Sequence, residues 1–175
     1  MENKKFKKVL KTILKEKNYK KFTHYKLVQI LINYFTISNL FKQYYNVDYE
    51  ISSQNGLIEK LDLSDFLEYE VKGTPWDWKN NINDLSEIPG LTNLNHITHI
   101  DLSNNQIKDI KDLIHFQELT HLIVSNNKLS ADINLYYIKN LPNLIYLDLR
   151  GNDIVDKIKP NDFNPQTRVL LRDLI

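Results

Sequence analysis

One apolar pattern is written three times between Asn83 and Asn152. Ile97, Ile100, Leu102, Asn105 and Ile107 satisfy L-x-x-L-x-L-x-x-N-x-L, with isoleucine standing for leucine. Leu119, Leu122, Val124, Asn127 and Leu129 satisfy it 22 residues later, and Leu144, Leu147, Leu149, Asn152 and Ile154 satisfy it 25 residues after that. In each unit the apolar-x-apolar pair predicts a short strand whose two side chains point inward, and successive units predict strands stacked in parallel. The other half of each unit follows a beat of three: Leu85, Ile88, Leu91, Leu94, then Ile107, Ile110, Leu113, Phe116. That spacing suits tight helical or 3₁₀ turns. The third interval, Leu129 to Leu141, is longer, and with Leu135, Tyr136 and Ile138 it predicts an α-helix. After Asn152 the pattern fades without stopping, because Val169 and Leu171 follow Pro165 much as Leu147 and Leu149 follow Pro142.

Different patterns precede the repeats. Residues 3–17 read as an amphipathic helix with Phe6, Val9, Leu10, Ile13 and Leu14 on one face. A second helix is predicted from Thr23, a plausible N-cap, to about Tyr45, and its broad apolar set suits coverage on more than one side. Residues 47–51 and 57–63 alternate like strands around the turn residues 52–56, so a β-hairpin is expected there, with Asn55-Gly56 supplying positive φ. Ile58, Leu61 and Leu63 also fit the repeat, but Phe66 stands at its asparagine position, so this is a degenerate first coil. Residues 64–82 leave alternatives open: a full coil with Trp78 as its core residue, or an insertion whose Trp76 and Trp78 plug the core or mark a binding hot spot.

Five constrained positions recurring in register make the chain resemble a leucine-rich repeat protein. The resemblance implies an α/β fold: a right-handed leucine-rich repeat solenoid with a parallel β-sheet on its concave face, here behind an N-terminal helical cap and a leading β-hairpin. It implies that Asn105, Asn127 and Asn152 form a ladder that satisfies backbone groups where the chain bends. It also implies a non-catalytic module that binds a protein partner through the concave face. The corresponding divisions are 1–46 (basic helical cap), 47–82 (hairpin and degenerate coil) and 83–175 (repeats).

On such a solenoid the outward strand residues fall into columns. One runs Lys60, His99, His121, Tyr146; the next Asp62, Asp101, Ile123, Asp148; the third Ser64, Ser103, Ser125, Arg150. Of these, Lys60, His99, Asp101, His121, Ile123, Tyr146, Asp148 and Arg150 are the candidate partner contacts. Adjacent coils lie ~5 Å apart, which makes His99 and His121 direct neighbours with Asp101 diagonal to them. Histidines and carboxylates at that distance are a conceivable zinc set, but the positions are solvent-facing and no supporting shell is readable, so no metal and no cofactor are expected. His96-x-x-His99 lacks the glutamate of a metalloprotease helix. With no nucleophile elbow, no phosphate loop and four glycines in all, neither an enzyme nor a small-molecule substrate is expected.

Composition adds a second theme. The net charge of +1 divides into +8 over residues 1–26, where ten lysines face Glu2 and Glu16, and −7 over the rest. Lys4, Lys5, Lys7, Lys8, Lys11 and Lys15 cover the polar faces of the first predicted helix. They provide an alternative function, peripheral attachment to phospholipid, nucleic acid or another acidic surface. Arginine is absent from this head, which argues against specific phosphate reading. Absence of cysteine excludes disulfides and, with no run of 18 apolar residues and no secretory h-region, a cytoplasmic location is expected. No helical cap is visible after Leu171. The last coil is therefore expected to fold residues 172–175 over its end, to pair with another copy, or to continue in a longer chain.

Overall fold

The structure is a computed structural model that describes residues 23–43, 47–64, 82–159 and 161–172. In chain order the elements are helix α1 (His24–Gln43), strands β1 (Asp48–Ile51), β2 (Ile58–Asp62), β3 (His99–Asp101) and β4 (His121–Ile123), helix α2 (Asp132–Lys139), and strands β5 (Tyr146–Asp148) and β6 (Arg168–Leu170). Short 3₁₀ turns at Leu85–Glu87, Leu91–Asn93, Lys111–His115 and Asp153–Lys157 complete the coils.

The strands form one six-stranded sheet in sequence order. β1 and β2 make the expected antiparallel hairpin, closed at Gly56 with φ +73°, and every later pairing is parallel. The register matches the repeat: Leu61, Ile100, Leu122, Leu147 and Val169 lie side by side. β2 bonds directly to β3, with Lys60 opposite His99. This step of the solenoid therefore spans 39 residues (Lys60 to His99), against 22 from His99 to His121. Trp76, Trp78 and Phe66 themselves lie outside the described residues.

The core lies between this sheet and the turns opposite. Ile97, Leu102, Ile107, Leu119, Leu122, Val124, Leu129, Leu147, Leu149 and Ile154 are fully buried. The three-residue beat is buried along its length too, from Leu85 to Leu94 and from Ile107 to Phe116. A fully buried leucine, isoleucine or phenylalanine contributes about 1.5–3 kcal/mol over an exposed one, so the inward positions supply the main favourable term of folding. The longer third interval does form an α-helix: Leu135 and Ile138 of α2 turn inward while Tyr136 stays exposed.

α1 begins as the sequence predicts, with the Lys26 amide donating to Thr23 Oγ1 at 3.3 Å. Ile30, Asn33, Thr36, Ile37 and Leu40 form its buried side. Asn33 ties it to the solenoid, since its Oδ1 accepts from the Ile58 amide (2.9 Å) and its Nδ2 donates to the Asn93 carbonyl (3.4 Å). Thr36 sits against Gly90, where a Cβ would meet Thr36 Oγ1 at 3.1 Å and where φ is +77°. Tyr25, Val28, Leu31, Ile32 and Phe35 on the other side are exposed. At the far end Val169 and Leu171 are half-buried against the core and Arg168 is exposed. Lys4, Lys5, Lys7, Lys8, Lys11 and Lys15 lie outside the described residues, as do 173–175.

Candidate functional site

Each coil bends inward after its strand by the same device. The residue before the repeat asparagine is left-handed in all three coils: Asn104 (φ +58°), Asn126 (φ +54°) and Gly151 (φ +66°). Asparagine and glycine are the residues that tolerate this conformation best. The repeat asparagines then reach back into the preceding coil. Asn127 Oδ1 accepts from the Ile107 amide (2.9 Å), and its Nδ2 donates to the carbonyls of Leu102 (2.9 Å), Val124 (3.0 Å) and Ser125 (3.2 Å). Asn105 does the same toward Ile82, Leu63, Leu102 and Ser103, and Asn152 toward Leu129, Val124, Leu149 and Arg150. Buried side-chain amides are tolerated only when bonded in this way. Asn134 of α2 adds an equivalent rung on the convex side, accepting from the Ile110 amide and donating to the Lys108 carbonyl.

Independently, a family model for "Leucine Rich repeats (2 copies)" matches residues 117–163. The coils within residues 117–163 are leucine-rich repeats. Among solved structures the chain is similar to an internalin C2 from Listeria monocytogenes, with 25% identity, 54% of this chain covered and a TM-score of 0.41. It is also similar to a second internalin (inlF) of that organism, with 23% identity, 54% covered and a TM-score of 0.37. The chain spans 38% and 32% of the lengths of those two proteins. No curated protein matches the sequence.

The concave face of the leucine-rich repeats carries the first predicted column in register: Lys60, His99, His121 and Tyr146, with Arg168 as a fifth member. The rings stack. His99 and His121 have centroids 3.9 Å apart and planes 10° apart, His121 and Tyr146 are 5.7 Å apart at 23°, and Arg168 Cζ lies 5.9 Å from the centre of the Tyr146 ring. At the other end Lys60 pairs with Glu50 at 2.9 Å. Burial holds both histidines below their ordinary pKa, helped at His99 by His121 and Lys60 and at His121 by Lys60, so both rings are neutral at pH 7.

The second column is less open than its sequence suggested. Asp101 is half-buried; desolvation pushes its carboxyl above the usual range, Asp62 and Asp148 add to this, and the hydrogen bonds from Ser103 only partly offset it. Asp148, expected as a surface contact, is 2% exposed. It is clamped by Arg150, whose Nε and Nη2 reach it at 3.0 and 2.7 Å, so Arg150 is largely spent inside the protein as well. The third column corrects the sequence further. Ser64, Ser103 and Ser125 are buried, and the Ser64 and Ser103 amides donate to Asp62 and Asp101 in turns two residues long. Strand alternation ends at the second column because the chain is already bending inward at the third.

What remains open is a groove of about 410 Å³ in front of the sheet. It is lined by the predicted Lys60, His99, Asp101, His121, Ile123 and Tyr146, and also by Asp48, Glu50 and Asp62. The hairpin's contribution was missed, since Asp48 and Glu50 become neighbours of the column only by antiparallel pairing with β2. Among the described residues no group of three or more metal-ligating side chains converges, and no helix is long and apolar enough to cross a membrane.

Proposed function

We propose that the protein is a non-catalytic interaction module whose concave face binds a protein partner. Leucine-rich repeats commonly mediate protein–protein interaction. The observation that carries the reading is the half-buried aromatic column His99–His121–Tyr146 lining an open groove. Aromatic side chains presented on a rigid surface supply contact area at low conformational cost. The test is partner capture by wild type against H99A/H121A/Y146A: loss of the captured protein is the expected result, and retention removes the concave face.

A second reading is favoured by α1, whose exposed Tyr25, Val28, Ile32 and Phe35 form a stripe at helical spacing and which contains no Asp or Glu. In a chain whose first 26 residues hold ten lysines, this stripe suits peripheral contact with an anionic phospholipid surface. Deleting residues 1–20 and substituting Val28 and Phe35 by serine is expected to abolish a salt-sensitive binding to phosphatidylserine vesicles. Absence of such binding in the full chain refutes it.

A further inference from the structure

The inference concerns which atoms the concave face offers, and it rests on the proposal that this face is the binding surface. Thr98 and Thr120, one residue before each histidine, make the same pair of contacts. Thr98 Oγ1 lies 3.1 Å from the Glu59 carbonyl and 2.8 Å from His99 Nδ1; Thr120 Oγ1 lies 2.9 Å from the Thr98 carbonyl and 2.9 Å from His121 Nδ1. A hydroxyl has one hydrogen to give, and a carbonyl can only accept. Thr167, the matching threonine before Arg168, has no histidine beside it and still donates to the carbonyl of Leu144 at 2.7 Å. The hydroxyl hydrogen is thus the rung between coils, and each Nδ1 satisfies its threonine oxygen only by carrying the ring proton itself.

Both neutral rings then keep a lone pair on Nε2, the ring nitrogen farther from the backbone. Among the described residues neither Nε2 has a hydrogen-bond partner. The stack places these acceptors side by side, diagonal to the Asp101 carboxylate, which no described cation pairs. The charged residues lining the groove are Asp48, Glu50, Asp62 and Asp101 against Lys60, which pairs with Glu50, and Arg168 stands at the far end of the column against Tyr146. The floor is an acceptor surface of negative charge with an aromatic wall.

We infer that the concave groove recognises an arginine side chain of the partner protein, its guanidinium donating to Asp101 and the two Nε2 atoms and lying along the His99–His121–Tyr146 stack. Guanidinium is planar, weakly hydrated and made of five donors with no acceptor, which matches a surface of acceptors set along ring edges. Lysine offers a point charge without the plane, and an acidic or phosphorylated segment meets like charge.

Two measurements test this. Long-range ¹H–¹⁵N NMR of the full chain reads the tautomers; Nδ1–H at both rings is expected, and Nε2–H at either overturns the acceptor assignment. Titration then uses a five-residue Gly/Ser peptide with one central arginine, and the same peptide with citrulline or glutamate. Saturable shifts at His99, His121 and Tyr146 with the arginine peptide are expected, about tenfold weaker with citrulline and with the D101N variant. Asp101→Asn keeps an oxygen for the Ser103 amide and removes a charge that burial disfavours, so it folds. Equal binding of the citrulline peptide, or none by the arginine peptide, overturns the inference. The two readings fail separately. If H99A/H121A/Y146A loses a captured partner but no arginine preference is seen, the concave face stands and this inference falls. If the arginine peptide binds while that variant keeps its partners, the concave face falls as the partner surface and only the arginine-binding chemistry of the groove stands.

Discussion

Two ladders climb this solenoid, one of asparagines inside it and one of histidines on its concave face. Both arise from the same repetition, and in both a side chain reaches the coil beside it. The asparagine ladder is closed: both side-chain polar atoms of Asn127 are matched by backbone groups of its own coil or the one before. The histidine ladder is half-open, because threonine hydroxyls take one nitrogen of each ring and the other is left in the groove. Repetition therefore produces stability where the rungs are consumed and a recognition surface where they are not.

The sharpest way to break this contrast is at the closed ladder. Asn127→Ala leaves the Ile107 amide buried without a partner, while the carbonyls of Leu102, Val124 and Ser125 keep Asn105, Asn152 and the Asn104 amide as donors, so a loss of about 1–3 kcal/mol is expected in urea unfolding. A loss below 1 kcal/mol would mean that the ladder is decorative. Gly151→Ala comes next. Its φ of +66° is disfavoured for alanine, and the new Cβ would collide with Asn126 Oδ1, so about 1–3 kcal/mol is expected from the same measurement. His121→Ala, on the open ladder, removes only partly buried stacking and should cost under about 1 kcal/mol while weakening partner binding.

The smallest expected effect is on pH dependence. Unfolded histidines take up protons near 6.5, whereas His99 and His121 in the native groove do so only at lower pH. The unfolded state therefore binds more protons in that window, and stability falls as pH drops below about 6.5. Asp101 works oppositely: its raised pKa makes the native state the stronger proton binder above the usual 3.8, so its part of the stability increases on acidification. H99F/H121F should flatten the first trend, and D101N should raise stability slightly at neutral pH. Unfolding midpoints collected between pH 4 and 8 check both.

The strands, their parallel order and the facing of Lys60, His99, His121 and Tyr146 were legible in the chain because the repeat length sets register. Once Ile100, Leu122 and Leu147 must share one core, their neighbours have no freedom to be elsewhere. The 3₁₀ beat and α2 followed from spacing in the same way. The left-handed positions at Asn104, Asn126 and Gly151 were visible as N-N, N-N and G-N pairs but carry meaning only with backbone angles. Asn33 had a signal too, as a lone amide in line with Ile30 and Ile37.

Local periodicity thus determined the solenoid by itself, since a fixed spacing of buried side chains can be satisfied by stacking coils and by little else. Tertiary structure alone decided how open each outward residue is. It buried Asp148 beneath Arg150, turned Ser64, Ser103 and Ser125 inward at the bend, and brought Asp48 and Glu50 across from the hairpin. Those outcomes depend on curvature and on pairing with a strand outside the repeat, which residue spacing within one coil does not encode. The groove belongs to the sheet as a whole, so its chemistry appears only when the coils are in place.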